Sequence, residues 1–138
     1  MEKKILVVDD EDYIRVLIVQ TIEAAFEDFV IDEKLEVLEA NNGKDCLQIA
    51  KKESPDLIFL DVMIPNINGF DVCQEIKENP EYEKKPYIIL LTAKGQEVDK
   101  EKGFSAGANE YMTKPFVPEE IVSRAEKELN IKRRYYYE

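Results

Sequence analysis

Short apolar runs alternate with helical patterns along the whole chain, and this alternation restricts the fold more than any other feature. The runs Ile5–Val8, Leu57–Leu60 and Tyr87–Thr92 are typical of strands buried on both faces. The predicted strands cover residues 4–9, 36–40, 56–61, 87–92 and 109–113. The predicted helices begin near residue 11, after residue 43, and near residues 69, 96 and 118. Five βα units in succession predict an α/β fold with a parallel sheet and helices on both faces.

The composition narrows the class of protein. A chain of 138 residues with 44% hydrophobic residues predicts one domain, which we assign to 1–132, followed by a short tail at 133–138. No apolar run approaches the roughly 20 residues of a membrane span, and no signal peptide is present, so we expect a cytoplasmic protein. A net charge of −11 disfavours direct binding of nucleic acid. Because the chain has no histidine, zinc sites and Ser/His or Cys/His catalysis are disfavoured, and we expect Cys46 and Cys73 to be reduced thiols.

Polar residues stand at the carboxyl ends of the predicted strands. Asp9 and Asp10 end the first, Asp61 ends the third, Thr92 the fourth, and Lys114 follows the fifth. Open α/β sheets bind ligands at this edge. Several carboxylates meeting there would repel one another, and a hard divalent cation is the simplest remedy.

Each of these residues also has an ordinary structural interpretation. The acids after the first strand can cap the helix that follows, and we expect Asp12 to do so. Asp61 can form an Asx-turn, and Lys114 can be a solvated cation. Their joint placement at one sheet edge favours a functional site.

Four motifs, in this order, resemble those of response-regulator receiver domains of two-component signal transduction, the CheY-like superfamily. The motifs are Val7-Val8-Asp9-Asp10, Leu60-Asp61-Val62-Met63-Ile64-Pro65 with Gly69-Phe70, Leu91-Thr92-Ala93-Lys94, and Met112-Thr113-Lys114-Pro115-Phe116. The resemblance covers roughly residues 3–130. It implies a flavodoxin-like, doubly wound five-stranded sheet of order 2-1-3-4-5 with five helices.

The resemblance also implies a role for each residue at the sheet edge. Asp61 would accept a phosphoryl group from a histidine kinase, a histidine phosphotransfer protein or a small acyl phosphate. Asp10, Asp61 and the backbone carbonyl of Met63 would coordinate Mg²⁺, with Asp9 contributing through water. Lys114 would bind the phosphoryl oxygens. Such a domain is a signalling module, not an enzyme, beyond assisting its own phosphorylation and slow autodephosphorylation.

A conformational switch is the second implication. Thr92 would sense the phosphoryl group, and Tyr111 would rotate inward into the space that the Thr92 hydroxyl leaves. The predicted helix at 96–106 has few apolar residues and contains Gly103, so we expect it to be the most movable element. Its movement would control the binding of a downstream partner. The resemblance further implies a cis Lys114-Pro115 peptide bond.

Two positions tune the lifetime of the phosphorylated state in this family, and here they are Met63 and Lys94. Met63 is a poor hydrogen-bonding partner for an attacking water. We therefore expect the phosphorylated state to decay over minutes or longer.

Alternative functions remain open at this point. The chain is a stand-alone receiver or the receiver part of a longer regulator with a DNA-binding or enzymatic output domain. Lys94, Asp99 and Arg124 resemble the subfamily of transcription factors that dimerise on phosphorylation, whereas Glu119 replaces a residue that is often basic there. A magnesium-dependent phosphohydrolase of the haloacid-dehalogenase type is a remote alternative, because its strand-one motif fails at Ile14.

Overall fold

The computed structural model describes residues 2–93 and 99–133 and forms a three-layer α/β fold. All paired strands are parallel, and their order in the sheet is β2-β1-β3-β4-β5. The strands are β1 Lys3–Val8, β2 Leu35–Ala40, β3 Leu57–Asp61, β4 Tyr87–Ala93 and β5 Glu110–Lys114. The helices are α1 Asp12–Ala25, α2 Glu27–Ile31, α3 Gly43–Glu53, α4 Gly69–Glu78, α5 Asp99–Ser105 and α6 Pro118–Leu129. The predicted flavodoxin-like strand order 2-1-3-4-5 is confirmed.

Helix α2 was not predicted, so the described chain has six helices and not five. It has five residues and none of them is fully buried, although Phe29 and Val30 pack against the core. A segment of little more than one turn is too short to show a helical periodicity in the sequence. The helix fills the connection between α1 and the edge strand β2.

The two faces of the sheet bury separate apolar cores because successive side chains in a strand point to opposite sides. In β3, for example, Ile58 and Leu60 pack with α3 and α4, whereas Leu57 and Phe59 pack with α1 and α6. All five residues of β3 are buried. The central strand is thereby fixed on both faces, and its final residue, Asp61, has a defined position.

Local sequence signals set the ends of the helices near the carboxyl edge of the sheet. The side chain of Asn42 accepts a hydrogen bond from the backbone N–H of Asp45, and Asn68 does the same for Asp71. Helix α5 ends at Ser105, and the turn that follows it contains Gly107, whose φ of 98° favours glycine. The longest helix, α1, has 14 residues, and among the described residues no helix combines the length and apolar character that crossing a membrane requires.

Candidate functional site

Two buried carboxylates share one lysine at the carboxyl edge of the sheet. The ammonium of Lys114 donates hydrogen bonds to Asp9 Oδ2 and Asp61 Oδ2, each at 2.9 Å. The exposed fraction of the side chain is 0% for Asp9, 7% for Asp61 and 19% for Lys114. The ends of β1, β3 and β5, far apart in sequence, therefore supply a single polar cluster, as the strand-end pattern predicted.

The second oxygen of each carboxylate accepts a hydrogen bond from the backbone two residues later. Asp9 Oδ1 accepts from the N–H of Glu11 at 3.0 Å, and Asp61 Oδ1 accepts from the N–H of Met63 at 2.9 Å. Asp61 thus makes the Asx-type contact of its ordinary structural interpretation and also lies in the cluster. Both carboxylates are held at two points, which fixes their orientation.

The loops that carry the two aspartates are anchored by neighbouring elements. Gly69 at the start of α4 lies so close to β3 that an added Cβ would be 2.5 Å from the carbonyl oxygen of Asp61. Its N–H donates to the carbonyl of Val62 at 2.9 Å. On the other side, Arg15 Nη1 donates to the backbone carbonyl of Asp9 at 2.9 Å. These contacts restrain the backbone on both sides of the cluster.

The expected cap of α1 by Asp12 is wrong. Glu11 occupies the N-cap position and makes no side-chain cap hydrogen bond. The carboxylate of Asp12 instead accepts a hydrogen bond from Arg15 Nη2 at 2.8 Å. Asp12 therefore pairs with Arg15, one turn further along the helix, and does not cap the helix; a charged pair at i, i+3 is also favourable.

Burial and the shared lysine shift the protonation equilibria of the cluster. Desolvation raises the pKa of Asp9 above its ordinary value, although its hydrogen bonds with the Glu11 N–H and with Lys114 oppose the shift. Burial alone would lower the pKa of Lys114, but its hydrogen bonds with Asp61 and Asp9 outweigh this, so that the pKa is raised. Lys114 is therefore charged at neutral pH and partly offsets the negative charge of the cluster.

A third acid, Glu11, belongs to this cluster and was not among the site residues predicted from the sequence. Carboxylate oxygens of Asp9, Glu11 and Asp61 lie within 4.8 Å of one another, a group that could hold a metal ion. The side chain of Glu11 is 53% exposed, and one of its oxygens is 3.9 Å from Lys114 Nζ. In the sequence Glu11 resembled a helix-start acid, and the spacing gave no signal that its side chain turns back towards β3.

The chemistry of this donor set fits a hard divalent cation, since carboxylate oxygens are its preferred ligands. Asp10 is exposed and lies outside the group of three. Coordination by Asp10 and by the Met63 carbonyl stays a prediction.

The predicted switch residues lie on β4 and β5, the two strands that follow β3 in the sheet. Thr92 is buried at the end of β4, one residue beyond Leu91, which pairs with Asp61. Tyr111 on β5 is partly buried and packs against the core and α5. The Lys114-Pro115 peptide bond is cis, as expected. Lys94 and the tail from residue 134 onward lie outside the described residues.

Comparisons with known proteins agree with this geometry. The chain matches the family model of the response regulator receiver domain over residues 5–126. It is 42% identical over 125 residues to the alkaline phosphatase synthesis transcriptional regulatory protein PhoP of Bacillus subtilis, covering 90% of this chain and 47% of that protein. It is 43% identical over 123 residues to the transcriptional regulatory protein ResD of the same organism, covering 89% and 46%. The chain therefore spans about half the length of the curated relatives it matches.

A solved structure shows the same fold. The chemotaxis response regulator CheY4 of Vibrio cholerae superposes with a TM-score of 0.75 at 28% identity. The superposition covers 92% of this chain and 98% of that one.

Proposed function

Because this chain belongs to the response regulator receiver domain family, we propose that Asp61 accepts a phosphoryl group and that its phosphorylation changes the surface formed by α5, β5 and α6. The observation that carries the proposal is the buried pair of Asp9 and Asp61 on one shared lysine. Two carboxylates with a single cation leave a net negative charge, so a further cation is needed before an anionic phosphoryl group can approach.

The acceptor step needs little from the protein beyond orientation and charge. An Asp61 carboxylate oxygen attacks the phosphorus of a phosphohistidine on a histidine kinase or phosphotransfer protein. The new P–O bond forms as the P–N bond breaks, and the imidazole leaves. Lys114, which already contacts Asp61 Oδ2, is placed to bind the oxygens of the transferred group. The result is an aspartyl phosphate, a mixed anhydride.

We assign the metal role to Mg²⁺, with Asp9, Asp10, Glu11, Asp61 and the Met63 carbonyl as the candidate ligands. The clustered carboxylates of Asp9, Glu11 and Asp61 support this assignment. When bound, Mg²⁺ would neutralise excess charge and orient phosphoryl oxygens.

The switch would begin at Thr92, whose hydroxyl turns towards the phosphoryl oxygens. Tyr111 follows into the space vacated, and α5 repacks because Tyr111 contacts it directly. A partner protein, an output domain or a second copy of the chain would recognise the altered surface. This is a bistable element biased by a local charge, as in other phosphorylation switches.

Slow autodephosphorylation is the next part of the proposal. Met63 is 67% exposed, and its side chain offers no strong hydrogen-bonding group to an attacking water. We expect the phosphorylated state to persist for minutes or longer in Mg²⁺. Mass spectra taken at intervals after removal of the donor measure the decay, and loss within seconds contradicts the proposal.

The acceptor is tested by incubation with Mg²⁺ and a small acyl phosphate, followed by intact mass. Wild type should gain one phosphate, and Asp61→Asn should gain none. Asp56→Asn is the matched control, because Asp56 lies just before the opposite end of β3 and also contacts a lysine. A single phosphate on wild type and Asp56→Asn alone supports the proposal, whereas phosphorylation of Asp61→Asn contradicts it.

A second candidate is that this receiver is part of a longer transcriptional regulator. The alignments with PhoP and ResD, which span about half of each relative, favour it over a stand-alone receiver. The length of the reading frame that encodes the chain decides between the two.

A further inference from the structure

Gly103 in α5 lies directly against the ring of Tyr111. A Cβ added at Gly103 would be 2.2 Å from Tyr111 Oη and 2.6 Å from two of its ring carbons. Real Cβ atoms do not approach other heavy atoms so closely, so this position of the ring requires a residue without a side chain at 103. Gly103 is buried beneath the ring.

Backbone conformation does not explain this glycine. Among the described residues, the glycine at positive φ is Gly107, and Gly103 lies inside the helix. A glycine in a helix interior makes the helix less stable than an alanine would. Space for Tyr111 is therefore the physical reason for a glycine at 103.

A second contact helps to define the position of the tyrosine. The rings of Phe104 and Tyr111 meet edge to face, with centroids 5.4 Å apart and planes at 66°. This geometry is favourable for aromatic pairs. Gly103 and Phe104 together form a seat on α5 for the Tyr111 ring.

The clash at Gly103 differs in kind from those at the other tightly packed glycines. At Gly69 and Gly43 an added Cβ would meet backbone atoms, namely the carbonyl oxygens of Asp61 at 2.5 Å and Ile67 at 2.3 Å. At Gly103 the three nearest atoms all belong to the far end of one side chain. A methyl group at 103 can therefore be accommodated by rotation of Tyr111, without displacement of the main chain.

We propose that Gly103 is a positioning residue that holds Tyr111 in its seat on α5 and thereby couples the tyrosine to movement of that helix. The inference rests on the proposed function, since it concerns the switch governed by Asp61. Gly103→Ala should expel the ring from the seat while leaving the cluster of Asp9, Asp61 and Lys114 intact. The chain should then accept phosphate but transmit a smaller change to α5.

The test compares the ring signals of Tyr111 by NMR in wild type and Gly103→Ala, with and without beryllofluoride and Mg²⁺. Without beryllofluoride, the ring current of Phe104 should shift the wild-type signals, and Gly103→Ala should lose that shift. Beryllofluoride should then produce a smaller change at Tyr111 and α5 in Gly103→Ala than in wild type. Unchanged Tyr111 signals in Gly103→Ala without beryllofluoride would overturn the proposal, and so would an undiminished response of α5.

A double substitution separates the steric role from a general loss of stability. With the ring removed by Tyr111→Ala, the methyl group at 103 has room, and Gly103→Ala should raise the urea midpoint because alanine favours the helix. In the wild-type background the same change should give a smaller rise or a loss. Equal effects in the two backgrounds contradict the steric role.

Intact mass after treatment with a small phosphodonor completes the test. Gly103→Ala and wild type should both gain one phosphate. If wild type gains none, the proposed function fails, while the comparison of Tyr111 signals without beryllofluoride still decides whether Gly103 forms the seat.

Discussion

Strand β3 has an aspartate near each end, and the two differ in the cation they contact. Asp56, just before the strand, accepts from the backbone N–H of Lys4 at 2.8 Å and from Lys84 Nζ at 2.5 Å. Asp61, at the end, accepts from the backbone N–H of Met63 and from Lys114 Nζ, both at 2.9 Å. Lys84 is half exposed, whereas Lys114 is largely buried and also binds Asp9.

The difference separates the acid that we propose as the phosphoryl acceptor from the acid at the other end of the same strand. Hydrogen-bond number does not distinguish Asp56 from Asp61, because each has one backbone donor and one lysine. What distinguishes Asp61 is a second buried carboxylate on the same lysine, so that negative charge remains in a buried place. Such a cluster of buried negative charge destabilises the fold unless a further cation binds to it.

The largest effect should come from removal of the shared lysine. Lys114→Met leaves Asp9 and Asp61 buried side by side without a cation, and we expect a loss of about 3 kcal/mol in the free energy of unfolding. Lys84→Met removes a half-exposed cation and should cost less than about 1 kcal/mol. Urea denaturation at pH 7 without Mg²⁺ measures both. Equal losses would remove the distinction between the two ends of β3.

Stabilisation by Mg²⁺ should depend on the acids at the carboxyl end of β3 and not on Asp56 at the other end. At a Mg²⁺ concentration ten times Kd, the free energy of unfolding should rise by about 1.4 kcal/mol in wild type and in Asp56→Asn. Asp10→Asn should weaken the affinity for Mg²⁺ by about 10-fold or more, and Glu11→Gln should weaken it less. Mg²⁺ titrations followed by NMR give the affinities. If Asp10→Asn binds Mg²⁺ with wild-type affinity and Glu11→Gln binds it more weakly, then Glu11 is the ligand in place of Asp10, which the family implies.

A titratable group away from both ends provides a baseline for the effects of burial alone. Burial, with a smaller contribution from Cys73, raises the pKa of the fully buried Cys46 thiol to about 12 from an ordinary value of about 9. Between about pH 9 and 12 the Cys46 thiol therefore keeps its proton in the folded state and loses it in the unfolded state. The stabilisation is complete below about pH 9 and is lost as the pH rises towards 12, by about 1.4 kcal/mol at pH 10.

The difference in stability between wild type and Cys46→Ala, measured from pH 7 to 10.5, checks this baseline. The difference should shrink above pH 9. A difference that is constant from pH 7 to 10.5 would show that burial does not raise the pKa of the Cys46 thiol.

The sequence was sufficient to predict the sheet and the meeting of Asp9, Asp61 and Lys114 at one edge of it, because the responsible signals are local. Four consecutive apolar residues mark a strand buried on both faces, and a polar residue after such a run lies at the sheet edge. Glu11 and Asp12 were misjudged because adjacent acids at a helix start look alike in sequence. In the fold their side chains separate: Arg15 binds Asp12, whereas the carboxylate of Glu11 lies with those of Asp9 and Asp61.

Gly103 gives a second lesson of the same kind. In the sequence it only weakened a predicted helix, and its contact with Tyr111 depends on a tertiary approach between α5 and β5. Helix α2 escaped prediction because five residues cannot establish a period. The pattern of apolar residues therefore predicted which segments are buried. It did not predict which side chain contacts which, because those contacts form only in the tertiary structure.

The most direct test of the central claim is the location of the phosphoryl group after treatment with Mg²⁺ and a small phosphodonor. Borohydride reduces an aspartyl phosphate to homoserine, and peptide mass mapping then identifies the residue. We expect homoserine at position 61 and an unmodified aspartate at position 56. Phosphate on Asp9, Asp10 or any other residue, with Asp61 unmodified, would contradict it.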